Sequence, residues 1–218
     1  MGTRRSFLRK AGLSAVGTVA GITLLPPPPD ATDPTGTVEA AEPPSAVSEW
    51  TDEPITDEDD APIGRYHYEP TGDGFRATAP FNVVVLPEAD GDRGLETVMS
   101  VLEAEGWIRS PEEYTRFAWD RETESYVRQQ ATAAQAYYGV NGRRHVRCWS
   151  FDGVISMQAH EDSPARPTHG VPSYQRGRDT IEAIFDGADW RVSPNAIDLA
   201  NAKRPDHDGV ATVIAEDP

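Results

Sequence analysis

One hairpin carries the residues best suited to chemistry. His145-Val146-Arg147-Cys148-Trp149-Ser150-Phe151 reads as a strand, and Asp152-Gly153 as a type I′ turn. Val154-Ile155-Ser156-Met157-Gln158-Ala159-His160-Glu161-Asp162 reads as the returning strand. A two-residue loop fixes the register, so Phe151 faces Val154, Trp149 faces Ser156, Arg147 faces Gln158 and His145 faces His160. Directly opposed Cβ atoms lie within about 5.5 Å. Asp162 falls on the same face, and His169 follows after a proline-containing loop. Two or three imidazoles with a carboxylate suit zinc with one open position. Zinc there would lower the pKa of bound water and support hydrolysis. The competing readings are a hydrogen-bonded polar sheet face against a helix, with His169 on a mobile loop, and a metal-free binding or acid–base site.

Arg147, Trp149 and Gln158 on that face are candidate ligand-binding residues. Arg147, with Arg143 or Arg144, offers the guanidinium forks that grip phosphate or carboxylate. The alternative for Arg147 is an ion pair with Asp162 or Glu161. Trp149 is expected to pack beneath residues 107–143, with ligand stacking as the alternative. Alternation turns Val146, Cys148, Ser150, Ile155, Met157 and Ala159 to the opposite, core-facing side, which makes Cys148 an inert small hydrophobe. His207 sits in an acidic, glycine-containing turn and is expected in solvent. Tyr66-His67-Tyr68 is expected either to cap a sheet edge or to belong to a linker. No Gly-rich phosphate loop and no serine nucleophile elbow is present.

The elements that must position this hairpin are legible on either side. Phe81–Leu86 is a short β-branched run between prolines, a buried strand. Residues 94–105 carry apolar side chains at helical spacing up to Gly106. Residues 107–121 read as an irregular strand or covering loop, and 122–138, rich in helix formers, as a second helix. Residues 178–187 place Ile181, Ile184 and Phe185 on one helical face. Trp190-Arg191-Val192 extends as a strand, and Val210–Ala215 is the last one. Strand, helix, hairpin, helix, strand is the order of a ferredoxin-like sheet. The expected fold is therefore α+β: a single split β-α-β sheet, helices on one face, and an insertion at about 107–143. An unspecified α+β sandwich is the alternative.

Composition narrows the setting. The 218 residues include 36 acids and 20 bases, for a net charge of −16. That balance disfavours nucleic acid and anionic membrane surfaces as partners. The single Cys148 excludes an intramolecular disulfide and a cysteine-pair zinc site. Lysine occurs only at Lys10 and Lys203, the other bases being arginine. High acid with scarce lysine resembles proteins of extreme halophiles, whose hydrated carboxylate surfaces need salt to screen them.

The chain divides into three. Residues 1–25 carry Arg4, Arg5, Arg9 and Lys10 before an apolar run of small residues. Arg4-Arg5-Ser6-Phe7-Leu8-Arg9-Lys10 resembles a twin-arginine (Tat) translocation motif, which implies the Tat machinery as partner and export after folding. The destination is extracellular or cell-surface, with an uncleaved N-terminal anchor as the alternative to cleavage near Val38-Glu39-Ala40. Residues 26–62 hold a proline run and eleven acids with no base, an extended disordered linker. Residues 63–218 are the folded domain.

Arg144-His145-Val146-Arg147-Cys148-Trp149 resembles the Arg/His–His–Val–Arg–x–Trp signature of the LssY C-terminal-like domain family. Glu105-Gly106-Trp107 resembles that family's Ala-Gly-Trp. The likeness spans roughly 80–216. Arg144 stands where family members tend to have a first histidine of a pair, so a role needing both histidines does not carry over. The resemblance implies a domain identity without a catalytic mechanism. Two functions follow as expectations. One is an exported domain whose polar His/Arg face binds a small anionic ligand or a cell-surface partner. The other is a metal-dependent hydrolase using His145, His160 and Asp162 or His169.

Overall fold

A computed structural model describes residues 63–216, apart from 73, 90, 112, 121 and 165–169. The expected signal and linker, with Arg4 and Arg5, and His169 all lie outside the described residues. The elements are β1 (Tyr66–Thr71), β2 (Gly74–Pro80), β3 (Val83–Leu86), α1 (Gly91–Ala104), β4 (Ile108–Arg109), β5 (Phe117–Asp120) and β6 (Ser125–Arg128). They continue with β7 (Ala131–Ala134), β8 (Arg144–Phe151), β9 (Val154–Glu161), α2 (Gln175–Gly187), β10 (Arg191–Asp198) and β11 (Val210–Ala215).

Val83, Val84 and Val85 are all fully buried, because β3 lies mid-sheet with both faces covered. The large sheet runs β10-β11-β3-β9-β8-β7-β4, and a second sheet runs β2-β1-β5-β6. Val83 and Val85 join Val146, Cys148, Ile155, Met157 and Ala159 in one core with α1 (Leu95, Val98, Met99, Leu102) and α2 (Ile181, Phe185). Val84 and Trp149 belong to a different core, with Ala118 of β5 and Val127 of β6. Helices thus cover one face of the large sheet, as expected, while the small sheet, and not the helix expected there, covers the polar hairpin face.

The class is mixed α+β, but the large sheet does not reduce to the expected split β-α-β frame. Its stretch β11-β3-β9-β8 has the expected spatial order, yet β11 pairs parallel with β3. The reason is β10, which leaves α2, takes the outer edge and turns back antiparallel into β11. The expected second helix at 122–138 is also replaced. Ser125-Tyr126-Val127-Arg128 pairs with β5, and Ala131–Ala134, buried throughout, pairs with β8. Unpaired ladder groups of β5 and β8 outweigh the helix preference of alanine and glutamine. Tyr66-His67-Tyr68 forms β1 rather than a cap or linker.

The hairpin register is the expected one at all four named pairs. Asp152 and Gly153 both have positive φ, 47° and 78°, as a type I′ turn requires. Two side-chain devices lock β9 in place. Asn82 donates to Ala159 O at 2.9 Å and accepts from Ala159 N at 2.8 Å, extending the ladder just ahead of the start of β3. Gly177 lets α2 rest directly on β9, since a Cβ there would stand 2.4 Å from His160 Cα.

Candidate functional site

The polar hairpin face is buried. His145, Arg147, Trp149, Ser156, Gln158 and His160 are all at most 3% exposed, and Asp162 is 2% exposed. Neutral polar groups in that setting need partners, and charges need counter-charges. The face supplies them in a single network built on Asp162.

Asp162 Oδ2 accepts from Arg143 Nε at 2.8 Å and lies 3.0 Å from His145 Nδ1; Oδ1 lies 2.9 Å from His160 Nε2. The remaining ring nitrogens meet flanking side chains. Arg147 Nη1 donates to His145 Nε2 at 2.9 Å, while His145 Nδ1 sits between Asp162 Oδ2 at 3.0 Å and Arg143 Nη2 at 2.9 Å. Gln158 Nε2 meets His160 Nδ1, so His160 carries its proton on Nε2, toward Asp162. Both rings are neutral. Burial, then the neighbouring His160 ring, pushes His145 well below the ordinary imidazole value; burial also lowers His160. Burial alone would raise the Asp162 carboxyl, but the two rings donating to it hold it well below the usual carboxylate range.

Glu113, from the segment before β5, supplies the second buried carboxylate. It pairs with Arg147 Nη2 at 2.9 Å and closely with Arg143 Nη2. Arg147 therefore pairs with Glu113, not with Asp162 or Glu161, and Arg143 takes Asp162. Arg144 turns outward to Glu161 at 3.0 Å. Nothing in the local sequence marks Glu113. The clue is indirect, since two inward arginines demand a carboxylate from whatever segment covers them.

His145, His160 and Asp162 meet the distance requirement for a shared metal ion, their ligand atoms lying within 4.8 Å of one another. The donor set suits zinc. Its surroundings oppose a cation, because the Arg143 guanidinium already binds the Asp162 oxygen that His145 uses, and Arg147 donates to His145 from the other side. The two rings also address different oxygens of Asp162, a hydrogen-bonding arrangement.

Trp149 is fully buried; its Nε1 donates to Val127 O at 2.9 Å, and its ring stacks on His67 at 5.8 Å and meets Phe81 edge-on. It pins the small sheet to the large one. Gln158 links Arg147 to His160 within the network. His207, expected in solvent, is instead 6% exposed, its Nε2 donating to Asn201 Oδ1 at 2.7 Å while Asn201 Nδ2 donates to Arg65 O and Phe81 O. Burial lowers its pKa to about 4. The sequence reads as a turn there, but the turn folds inward to serve a buried asparagine.

A cleft of about 520 Å³ opens over one end of this network. Arg147 and His160 reach it from the hairpin, His67 and Glu69 from β1, Arg76 and Thr78 from β2. Tyr114 and Arg116 line it from the segment before β5, and Tyr174 and Lys203 close the remaining side. Arg116 crosses the Tyr114 ring at 5.1 Å. Glu69 answers two of these cations, Arg76 closely and Arg116 at 3.5 Å. Burial, then the charge of Arg147, lowers Arg116 to about 10; burial brings Arg147 to about 10 as well. Of the expected ligand-binding trio, only Arg147 lines this cleft. Arg116, Lys203, Arg76 and His67 were not legible as a group, because four separate elements bring them together.

No family model matches the chain, and no curated protein or solved structure matches it either. Among the described residues, no helix is long and apolar enough to cross a membrane.

Proposed function

We propose that this chain is an exported, salt-adapted binding protein whose LssY C-terminal-like domain holds a small anionic ligand in the cleft above the hairpin. The observation that carries this reading is the convergence of Arg76, Arg116, Arg147 and Lys203 on one cleft, in a chain of net charge −16. Cations so placed in a low-dielectric recess attract an anion out of proportion to the chain's net charge. The buried Asp162 network is then the platform that holds Arg147 at the floor. Export by the Tat route rests on the Arg4-Arg5 motif, and salt adaptation on the acid excess and lysine scarcity.

Thermal unfolding of the full chain against a panel of small anions tests the reading. A saturable rise in Tm is expected for at least one anion, following the occupancy of the folded state, and Arg116→Gln should shift it to about tenfold or more higher anion concentration. A flat panel with a cooperative transition would refute the reading. The second reading, a zinc-dependent hydrolase, rests on the shared ligand distances of His145, His160 and Asp162. It requires about one equivalent of metal in the purified chain, lost in His160→Ala. Absence of metal with an intact fold after chelation removes it.

A further inference from the structure

The ion pairs around the cleft form one connected system. Arg76 and Arg116 share Glu69. Arg147 and Arg143 share Glu113, and Arg143 also holds Asp162. Lys203 stands beside Arg76 and Glu69, its ammonium on the carbonyl of Thr78. Among the described residues, five cations therefore meet three carboxylates, and the neutral histidines add no charge. The surplus is two positive charges, gathered on the cleft side, since the Asp162 side is balanced.

One buried donor on the same side is also unsatisfied. Arg147, 3% exposed, has an Nε without a hydrogen-bond partner, and Arg116 beside it meets its one carboxylate, Glu69, at 3.5 Å. A guanidinium fork with spare N–H groups matches a phosphoryl or carboxylate edge. A carboxylate brings one charge and leaves one uncompensated. A phosphoryl monoester near neutral pH brings close to two and closes the balance. The cleft volume is in the range that holds small organic ligands, and so exceeds what a bare oxyanion fills. Tyr114 and Tyr174 supply aromatic wall beside the cations.

Resting on the anion-binding reading above, we propose that the cleft selects a dianionic phosphoryl group on a small organic body, a phosphate monoester, seated over Arg116 and Arg147 with Arg76 and Lys203 at its edge. The source is a free ester and not a lipid headgroup, because an anionic bilayer is repelled by a chain of net charge −16.

Isothermal titration of the full chain with phenyl phosphate, inorganic phosphate and benzoate, at constant KCl, tests this. Phenyl phosphate is expected to bind about tenfold or more tighter than benzoate, with inorganic phosphate between them. Arg116→Gln should weaken phenyl phosphate by about tenfold or more. Arg76→Gln, at a side chain 72% exposed and so safe for the fold, should weaken it by about two- to fivefold. Equal affinity for benzoate and phenyl phosphate would overturn the dianion while leaving anion binding standing. No binding of any anion to a folded chain would remove both. Unchanged phenyl phosphate affinity in both variants would put the site elsewhere. Sedimentation with phosphatidic acid vesicles, without phenyl phosphate binding, would overturn the free ester in favour of a headgroup.

Discussion

The two faces of the β8–β9 hairpin are both buried and are held by opposite physics. Toward the helices, Val146, Cys148, Ile155, Met157 and Ala159 pack with α1 and α2 by area alone. Toward the small sheet, His145, Arg147, Gln158 and His160 are dry as well, but each is held by directed bonds to a named partner. Apolar packing degrades gradually when a methylene is lost, whereas a charge network fails abruptly when one member leaves. Stability on one face is therefore graded and on the other all-or-none.

The largest expected effect breaks the polar face. Asp162→Ala leaves the Arg143 guanidinium, fully buried, with only part of its counter-charge. Unfolding in urea should show a loss of about 3–5 kcal/mol, the cost of an uncompensated buried charge. A loss under about 1 kcal/mol, the level of a surface pair, would mean that water reaches this face and that the contrast is false.

The next effect sharpens the contrast through pH. His67, His145, His160 and His207 are all held below their ordinary value, burial being the largest cause in each. The unfolded chain takes up protons below about pH 6.5 that the folded chain refuses, so stability falls as pH drops. Four such imidazoles make the loss between pH 6.5 and 5.5 about 4 kcal/mol. Asp162, held low, adds no loss in that window. A urea midpoint that stays constant over this range would show that these rings accept protons in the folded chain.

The smallest effect belongs to the apolar face. Ile155→Val removes one methylene from a fully buried position and should cost about 0.5–1.5 kcal/mol, independent of pH. A pH-dependent cost would mean that the two faces communicate through the sheet. Between these extremes, Gly177→Ala should cost about 1–3 kcal/mol despite the better helix propensity of alanine, because its Cβ meets the β9 backbone. A gain in stability would show that α2 slides freely on β9.

The same contrast explains what the sequence made legible. The turn at Asp152-Gly153 fixes register and face, so every cross-strand pair of the hairpin follows from residues within it. Alternation sorts residues by face but does not say whether a face is wet. The polar face is dry because 66–80 and 117–128 form a second sheet over it, and those segments signal weakly on their own. Ala131–Ala134 becomes a strand only because β8 offers an edge. The cleft is less legible still: Arg116, Arg147 and Lys203 are distant in sequence, and their meeting depends on how two sheets stack. Glu113 is invisible until its arginines are known to point inward.

Cys148 gives the helix side of the hairpin a consequence of its own. It is the chain's single cysteine, fully buried against α1 and α2, and burial pushes its thiol up to about 12. Thiol reagents attack the thiolate, so labelling must wait until the helical layer lifts from the sheet. One sulfur atom therefore times that opening without any engineered probe. In excess reagent, its labelling rate counts lift-off events one by one; at low reagent, it weighs how much of the population stands open.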